Sequence, residues 1–319
     1  MKYLACFFAL VVVAFLYEKI AQKCNIIDTP NNRSSHKTST IRGGGVLFVF
    51  AILLFVFFND FQYPYFAIGL CLIAIVSFID DLKTLSSRIR LPFQFSAVLL
   101  VFYEIGIDLW PVWVIALIIF AVLFINIYNF MDGINGLTGA YSMSVLIGFY
   151  GINLNERIVS DELIVYLFLS LLVFGFYNFR RKARFFAGDI GSISMAIVVL
   201  FVGAKMMYEL ESPLILYTIV VYGADGLWTL VCRKRKGKKL TEAHRDHMYQ
   251  KLVDVKKISH LKVSGLYAGI QLLVNILIYM SYKLEVYIQF IIAAMLACFF
   301  SVIYIILLKY LQVKLTVFK

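Results

Sequence analysis

Charge is what this sequence has least of. Only 15% of its 319 residues are Asp, Glu, Lys or Arg, while 62% are hydrophobic. A soluble domain carries about 25% charged residues, and a water-soluble fold of this length could not hide so much apolar surface. Long polar stretches are missing too. The two longest, residues 18–44 and 233–262, are too short for a separate soluble domain. Cysteine pairing is absent as a pattern: Cys6, Cys24, Cys71, Cys232 and Cys298 are odd in number and lack CxxC spacing. That excludes a disulfide framework and a zinc site and leaves the cysteines as small hydrophobes. The opening run, residues 3–17, resembles a signal-peptide core. It has no small-x-small cleavage site and leads straight into Glu18 and Lys19, so a retained first span is expected.

What is present is a series of apolar runs. A helical span needs about 20 mostly apolar residues. Runs meeting or approaching that length lie at 3–20, 45–60, 64–80, 92–107, 111–130, 136–153, 162–179, 190–208, 213–232, 262–281 and 285–308. They predict one integral-membrane domain over residues 1–319, an all-α polytopic transmembrane helical bundle of eleven spans, with ten as the alternative count. Lys and Arg set the orientation. With the N-terminus outside and the C-terminus cytoplasmic, the inner loops hold 26 of the 30 basic residues, leaving Lys2, Arg157, Lys205 and Lys283 outside. The net charge of +11 therefore reads as topology plus attraction for anionic headgroups and substrates rather than as a nucleic-acid footprint. The run RKRKGKK, residues 233–239, reads first as a positive-inside anchor, with anionic lipid or nucleotide binding as the sharper alternative.

With that topology the informative polar residues fall on one side. The inner loops read DTPNNRSSHKTSTIRGGG (28–45), DDLKTLSSRIR from Asp80, NIYNFMDGINGLTG (126–139), FAGDIGS (186–192) and EAHRDHMYQKL (242–252). Carboxylates at membrane depth cost a few kcal/mol and usually line a working cavity. Asp80 and Asp81 project about 100° apart if helical and so address different partners; an ordinary helix-end pair is the bland alternative. Asn126 and Asn129 share a helical face, followed by Asp132, Gly133 and Gly136. Such hard oxygen donors suit magnesium with phosphate, or serve as interhelical hydrogen-bonding glue. Asp189 is either a ligand or an N-cap. Gly43, Gly44 and Gly45 either cradle phosphate or let the second span pack closely. His244, Arg245 and His247 suit a pyrophosphate better than a metal, because no third soft ligand accompanies them.

In this order the five patterns resemble the polyprenyl-phosphate N-acetylhexosamine-1-phosphate transferase family, which includes phospho-MurNAc-pentapeptide translocase and the initiating GlcNAc-1-phosphate transferases of O-antigen and teichoic-acid synthesis. The resemblance covers residues 28 to 252. It implies that Asp80 and Asp81 match the paired aspartates facing lipid phosphate and metal, and that Asp132 joins them as a catalytic candidate. Asn129 and Asp189 match positions associated with magnesium, with manganese as the substitute ion. Arg42, Asn126, Asn135, His244, Arg245 and His247 fall at substrate-binding positions, Asn135 in a segment associated with uracil recognition and the histidines in a loop around the diphosphate. Asp225 resembles a recurrent family aspartate. The chain departs from the pattern at Ile41, where proline is usual, at Asn135, where aspartate is common, and in HRDHMYQ, which is similar to a sub-branch using QuiNAc- or FucNAc-type sugars.

The resemblance implies transfer of an N-acetylaminosugar 1-phosphate from a UDP-sugar to polyprenyl (undecaprenyl) phosphate, releasing UMP, at the cytoplasmic face of a bacterial inner membrane. Membrane lipids are partners, nucleic acid is not, and a homodimer is an allowed assembly. A transporter or flippase of lipid-linked sugars is the rival reading. It favours midplane sites on discontinuous helices, whereas these residues cluster at helix ends. A CDP-alcohol phosphotransferase needs a multi-aspartate pattern within one segment, which is not found.

Overall fold

A computed structural model describes residues 1–29, 39–239 and 244–317. The apolar runs become helices: α1 (Lys2–Lys23), α2 (Val46–Phe58), α3 (Pro64–Leu82), α4 (Ser87–Ile105), α5 (Pro111–Phe130), α6 (Leu137–Glu156), α7 (Asp161–Asn178) and α8 (Gly188–Leu210). A 3-10 segment, Pro213–Ile219, leads into α9 (Val220–Arg235). The short α10 (Met248–Asp254), α11 (His260–Ser281) and α12 (Val286–Val317) complete the chain. Local chemistry sets several of these ends. Pro64 and Pro111 stand at the starts of α3 and α5, where a missing N–H costs nothing. Gly106, at φ +76°, closes α4 in a left-handed turn.

The eleven expected runs coincide with eleven helical stretches, the ninth divided between the 3-10 segment and α9. Among the described residues, eight helices are long and apolar enough to cross a bilayer. The other three are α2, with 13 residues, and α4 and α6, whose ends carry polar groups. The protein is thus an all-α, multi-pass membrane bundle. Its longest span, Val286–Leu311 in α12, keeps most of its side chains outside the bundle, including Phe290, Ile291, Met295 and Phe299, as a lipid-facing helix does.

Inside, polar side chains tie helices together where lipid offers no competing partner. The Tyr141 hydroxyl of α6 donates to Gln271 Oε1 of α11 at 2.7 Å, and Gln271 in turn donates to Asn275. Asn275 Nδ2 donates back to the Ser144 carbonyl of α6. The rings of Tyr141 and Tyr222 stack with centroids 3.5 Å apart.

A two-stranded ribbon, β1 (Ile27–Asp28) with β2 (Thr40–Ile41), is antiparallel with Ile27 opposite Ile41. Ile41 also bridges Phe185 in the parallel sense, which stitches the N-terminal segment to the start of α8. The glycine run beyond it serves close approach. Gly44 and Gly45 N–H groups donate to the carbonyls of Phe186 and Ala187. A Cβ on Gly45 would run into the backbone of Gly191. Of the two readings of this run, close packing is the one realised.

Candidate active site

Every charged group singled out in the inner loops lies at one end of the bundle, where α3, α5 and α9 finish and where α4, α6, α8 and α10 begin. The opposite end carries an apolar cleft of about 620 Å³ between α4, α5, α8 and the 3-10 segment.

Asp80 and Asp81 do address different partners. Asp80 is buried; one oxygen accepts from the Leu85 N–H, and Oδ2 takes Arg90 Nη1 at 2.8 Å. Asp81 turns to α8, where Oδ1 accepts the Asp189 N–H at 2.9 Å and Oδ2 the Ile190 N–H at 3.0 Å. The helix-capping role considered for Asp189 is therefore filled from another span. Asp189 stands within the first turn, its carboxylate 3.6 Å from Arg90. Gly188, at φ +72°, makes this approach feasible, because a side chain there would collide with the Asp81 carboxyl.

Arg42 closes the cluster from the N-terminal side. It pairs with Asp28 at 2.9 Å, reaches the Asp81 carbonyl at 3.4 Å, and lies 3.9 Å from Asp81 Oδ1. Tyr17 holds it by donating to the Arg42 carbonyl. Residues 30–38, which complete this loop in sequence, lie outside the described residues, as do residues 240–243.

Asn129 is brought to the same place through α8: its Oδ1 accepts from Ser192 Oγ at 2.7 Å, one turn after Asp189. Asp132 follows in the α5–α6 loop, accepting from Thr138 Oγ1 at 2.6 Å. Burial is the main cause that pushes its carboxyl up to about 6. The Thr138 hydroxyl and the Gly188 N–H pull the other way, and the Asp81 carboxylate adds to the rise.

The histidine loop docks on the far side of Asp132. Tyr249 of α10 donates to the Phe130 carbonyl at 3.0 Å and packs against Gly133, where a Cβ would strike its hydroxyl. His244 and His247 stack with centroids 4.9 Å apart, and each lies about 6 Å from the Phe130 ring. Burial, followed by the charges of His247 and Arg233, brings His244 down to about 4, so it is neutral at pH 7.

Three candidates also have structural partners. Asn126 is paired with Gln94 of α4 at 2.8 Å and also donates to the Val122 carbonyl, so it locks α5 to α4. This is the interhelical glue considered for it. Asn135 is buried and donates its amide to the carbonyls of Arg180 and Arg181, an anchoring task the sequence did not announce. Arg245 forms a two-point ion pair with Asp254. Arg233, read as part of a basic anchor, is buried and pairs with Asp246 at 2.6 Å. Sequence reasoning missed Arg90, Ser192 and Tyr249. Arg90 alone left a signal: a cation ten residues after a carboxylate placed at membrane depth.

Among the described residues no three His, Cys, Asp or Glu side chains form a ready metal cage. The donors at Asp189, Asn129 and Asp132 are nevertheless all hard oxygens. They fit a magnesium ion, which is typically held by one or two carboxylates plus substrate phosphates.

Residues 63–207 match glycosyl transferase family 4. Over that segment the chain is similar to this family. The match runs from α3 into α8 and so includes Asp80, Asp81, Asn126, Asn129, Asp132, Asn135 and Asp189, while Arg42 and the histidine loop lie outside it. Similar curated proteins are named undecaprenyl-phosphate alpha-N-acetylglucosaminyl 1-phosphate transferases. The one from Escherichia coli K12 is 25% identical over 266 residues, covering 74% of this chain and 71% of the relative. That of Yersinia pestis is 27% identical over 271 residues, covering 74% and 72%. That of Thermotoga maritima is 28% identical over 193 residues, covering 54% and 61%.

Proposed function

We propose that this protein is a family 4 glycosyltransferase that moves an N-acetylaminosugar 1-phosphate from a UDP-sugar to polyprenyl phosphate, of the undecaprenyl type that its relatives' names specify. The product starts a cell-envelope polysaccharide. The observation that carries the reading is the convergence of Asp80, Asp81, Asp132 and Asp189 with Arg42 and Arg90 at one end of an otherwise apolar bundle. Such a mixture of acids and cations suits phosphate chemistry at a membrane surface better than passage through it. The loop bias of 26 basic residues against four supports placing this end in the cytoplasm of a bacterium.

In the reaction an oxygen of the lipid phosphate forms a bond to the β-phosphorus of the nucleotide sugar, and the bond from that phosphorus to the bridging oxygen breaks. UMP leaves with the electron pair, and the sugar remains on a lipid diphosphate. A phosphate monoester has its second pKa near ~6, so the nucleophile is largely ionised at neutral pH and needs little help from a base. Asp80 and Asp81 accordingly act by placement: one orders Arg90, the other fixes the first turn of α8. Arg42 and Arg90 supply charge-assisted donors for phosphate oxygens. His244 and His247 face the diphosphate from the other side. Asn129 and Asp189 would hold magnesium, which when bound neutralises charge on the diphosphate; positioning and electrostatics dominate such transfers.

The test is purified protein with magnesium, undecaprenyl phosphate and a panel of UDP-GlcNAc, UDP-QuiNAc and UDP-FucNAc, followed by UMP release and lipid-product analysis. One donor should give stoichiometric UMP and lipid diphosphate sugar. No UMP from any donor, with lipid-linked sugar crossing vesicles instead, would favour the flippase.

A further inference from the structure

Asp225, near the middle of α9, is almost wholly buried at 3% exposure and is surrounded by donors from three helices. Its Oδ1 accepts the Met248 N–H at 2.8 Å and Thr229 Oγ1 at 3.2 Å. Its Oδ2 accepts the Tyr249 N–H at 3.1 Å and the Tyr267 hydroxyl at 2.7 Å. Thr229 is itself within 2.9 Å of the Tyr304 hydroxyl of α12. A carboxylate held at so many points has no freedom to turn, so whatever it faces is held with it.

What it faces is His247. The Nδ1 atom of that imidazole lies 3.4 Å from Asp225 Oδ1, close enough for a small ring rotation to complete a hydrogen bond. The ring is only 1% exposed, and neither Nδ1 nor Nε2 completes a hydrogen bond among the described residues. A buried polar atom left unpartnered is costly and calls for an explanation in function. Stacking of the ring between His244 and Tyr249 blocks rotation about the other axis. One nitrogen thus faces a fixed carboxylate, just short of a hydrogen bond, while the other faces no partner among the described residues.

We propose that Asp225 is a positioning residue that orients His247, holding Nδ1–H toward its carboxylate so that Nε2, when it too carries a proton, is the atom left to donate to the diphosphate of the nucleotide sugar. The assignment rests on the transferase reading given above. The identity of the partner of one ring nitrogen decides what the other can do, and hydrogen bonds of this kind are often long before substrate arrives. Asp225 does not itself touch the reacting atoms. It acts through the ring and through the two N–H groups that begin α10.

The experiment is a double-mutant cycle with Asp225→Asn, His247→Ala and both together, read as kcat and as KM for the active UDP-sugar, beside ¹⁵N-imidazole NMR of the detergent-solubilised protein. Asp225→Asn keeps an acceptor for α10 but not the carboxylate. It should lower kcat by about 10- to 100-fold with a much smaller change in KM. The double variant should be no slower than His247→Ala alone, because residues acting as one unit are not additive. The wild-type NMR signal of His247 should show a proton on Nδ1, and this signature should be lost in Asp225→Asn. Additive losses in the cycle, or a wild-type Nδ1 without a proton, would overturn the proposal. Wild-type protein that releases no UMP from any donor refutes the transferase reading instead, and the wild-type NMR result still decides the orientation of His247 without a folded variant.

Discussion

Asp81 on α3 holds the first turn of α8 at Asp189, its two carboxylate oxygens accepting the N–H groups of Asp189 and Ile190 at 2.9 and 3.0 Å. The first N–H groups of a helix lack partners inside it, and a fixed anion there also suits the helix dipole. The acid that anchors α8 thereby also places the acid proposed to hold magnesium.

Replacing Asp81 by alanine should therefore lower both stability and activity. Loss of a cap costs about 0.5–2 kcal/mol, seen as a lower midpoint in a thermal melt of the detergent-solubilised protein. Asp81→Asn keeps an acceptor and should lose less stability. Equal melting midpoints for wild type and Asp81→Ala would show that the contact contributes nothing.

Asp189→Ala removes the half-buried carboxylate beside Arg90 while leaving the Asp81 bonds to the backbone intact. UMP release should be abolished at every magnesium concentration, with the melt close to that of wild type. Near-normal turnover in this variant would sink the magnesium assignment.

Asp132 carries a pH prediction. Its folded-state value of about 6 lies above that of an ordinary aspartate, so the native state holds the proton more tightly than the unfolded chain. Stability contributed by this group is present at low pH and is lost as pH rises from about 4 to about 6. Difference melts of wild type against Asp132→Asn should show that slope. If the ionised form is the active one, kcat/KM should rise through about pH 6, and the rise should vanish in Asp132→Asn. A limb that stays put in the variant belongs to another group.

Asn126→Ala should behave as a packing change. It leaves the buried amide of Gln94 without its partner, at a cost of about 1–3 kcal/mol, while KM for the UDP-sugar stays within about threefold. A large rise in KM with an unchanged melt would return Asn126 to the substrate.

Gly45→Ala sets a Cβ against the backbone of Gly191, where no side chain can rotate away. Overpacking of this kind costs about 1–3 kcal/mol. The yield of folded protein in membranes should fall, and Gly191→Ala should reproduce the effect from the other side.

The hydropathy of the runs marked the helices, because lipid demands about twenty apolar residues and a closed set of backbone hydrogen bonds. The polar end of the bundle was legible for the same reason: charges that would be costly in hydrocarbon collect at helix ends. Pairings between distant positions were not legible. Nothing in the two segments says that Asp81 closes α8 or that Asn126 meets Gln94, since both arise only when spans pack side by side. The anchoring contact of Asn135 was out of reach for a related reason. Its amide is spent on carbonyls more than forty residues away, a partnership that local spacing does not encode.

The Asp81 contact also has a consequence for biosynthesis. The partners lie 108 residues apart, and synthesis at about 5–20 residues per second leaves α3 in the membrane for roughly 5–20 s before α8 emerges. Throughout that interval the nascent chain carries an acid whose permanent partner does not yet exist, while Arg42, already made, is at hand to shield it. The contact therefore forms only once α8 has been made, and a chain stalled before its eighth helix lacks the Asp81–Asp189 arrangement altogether.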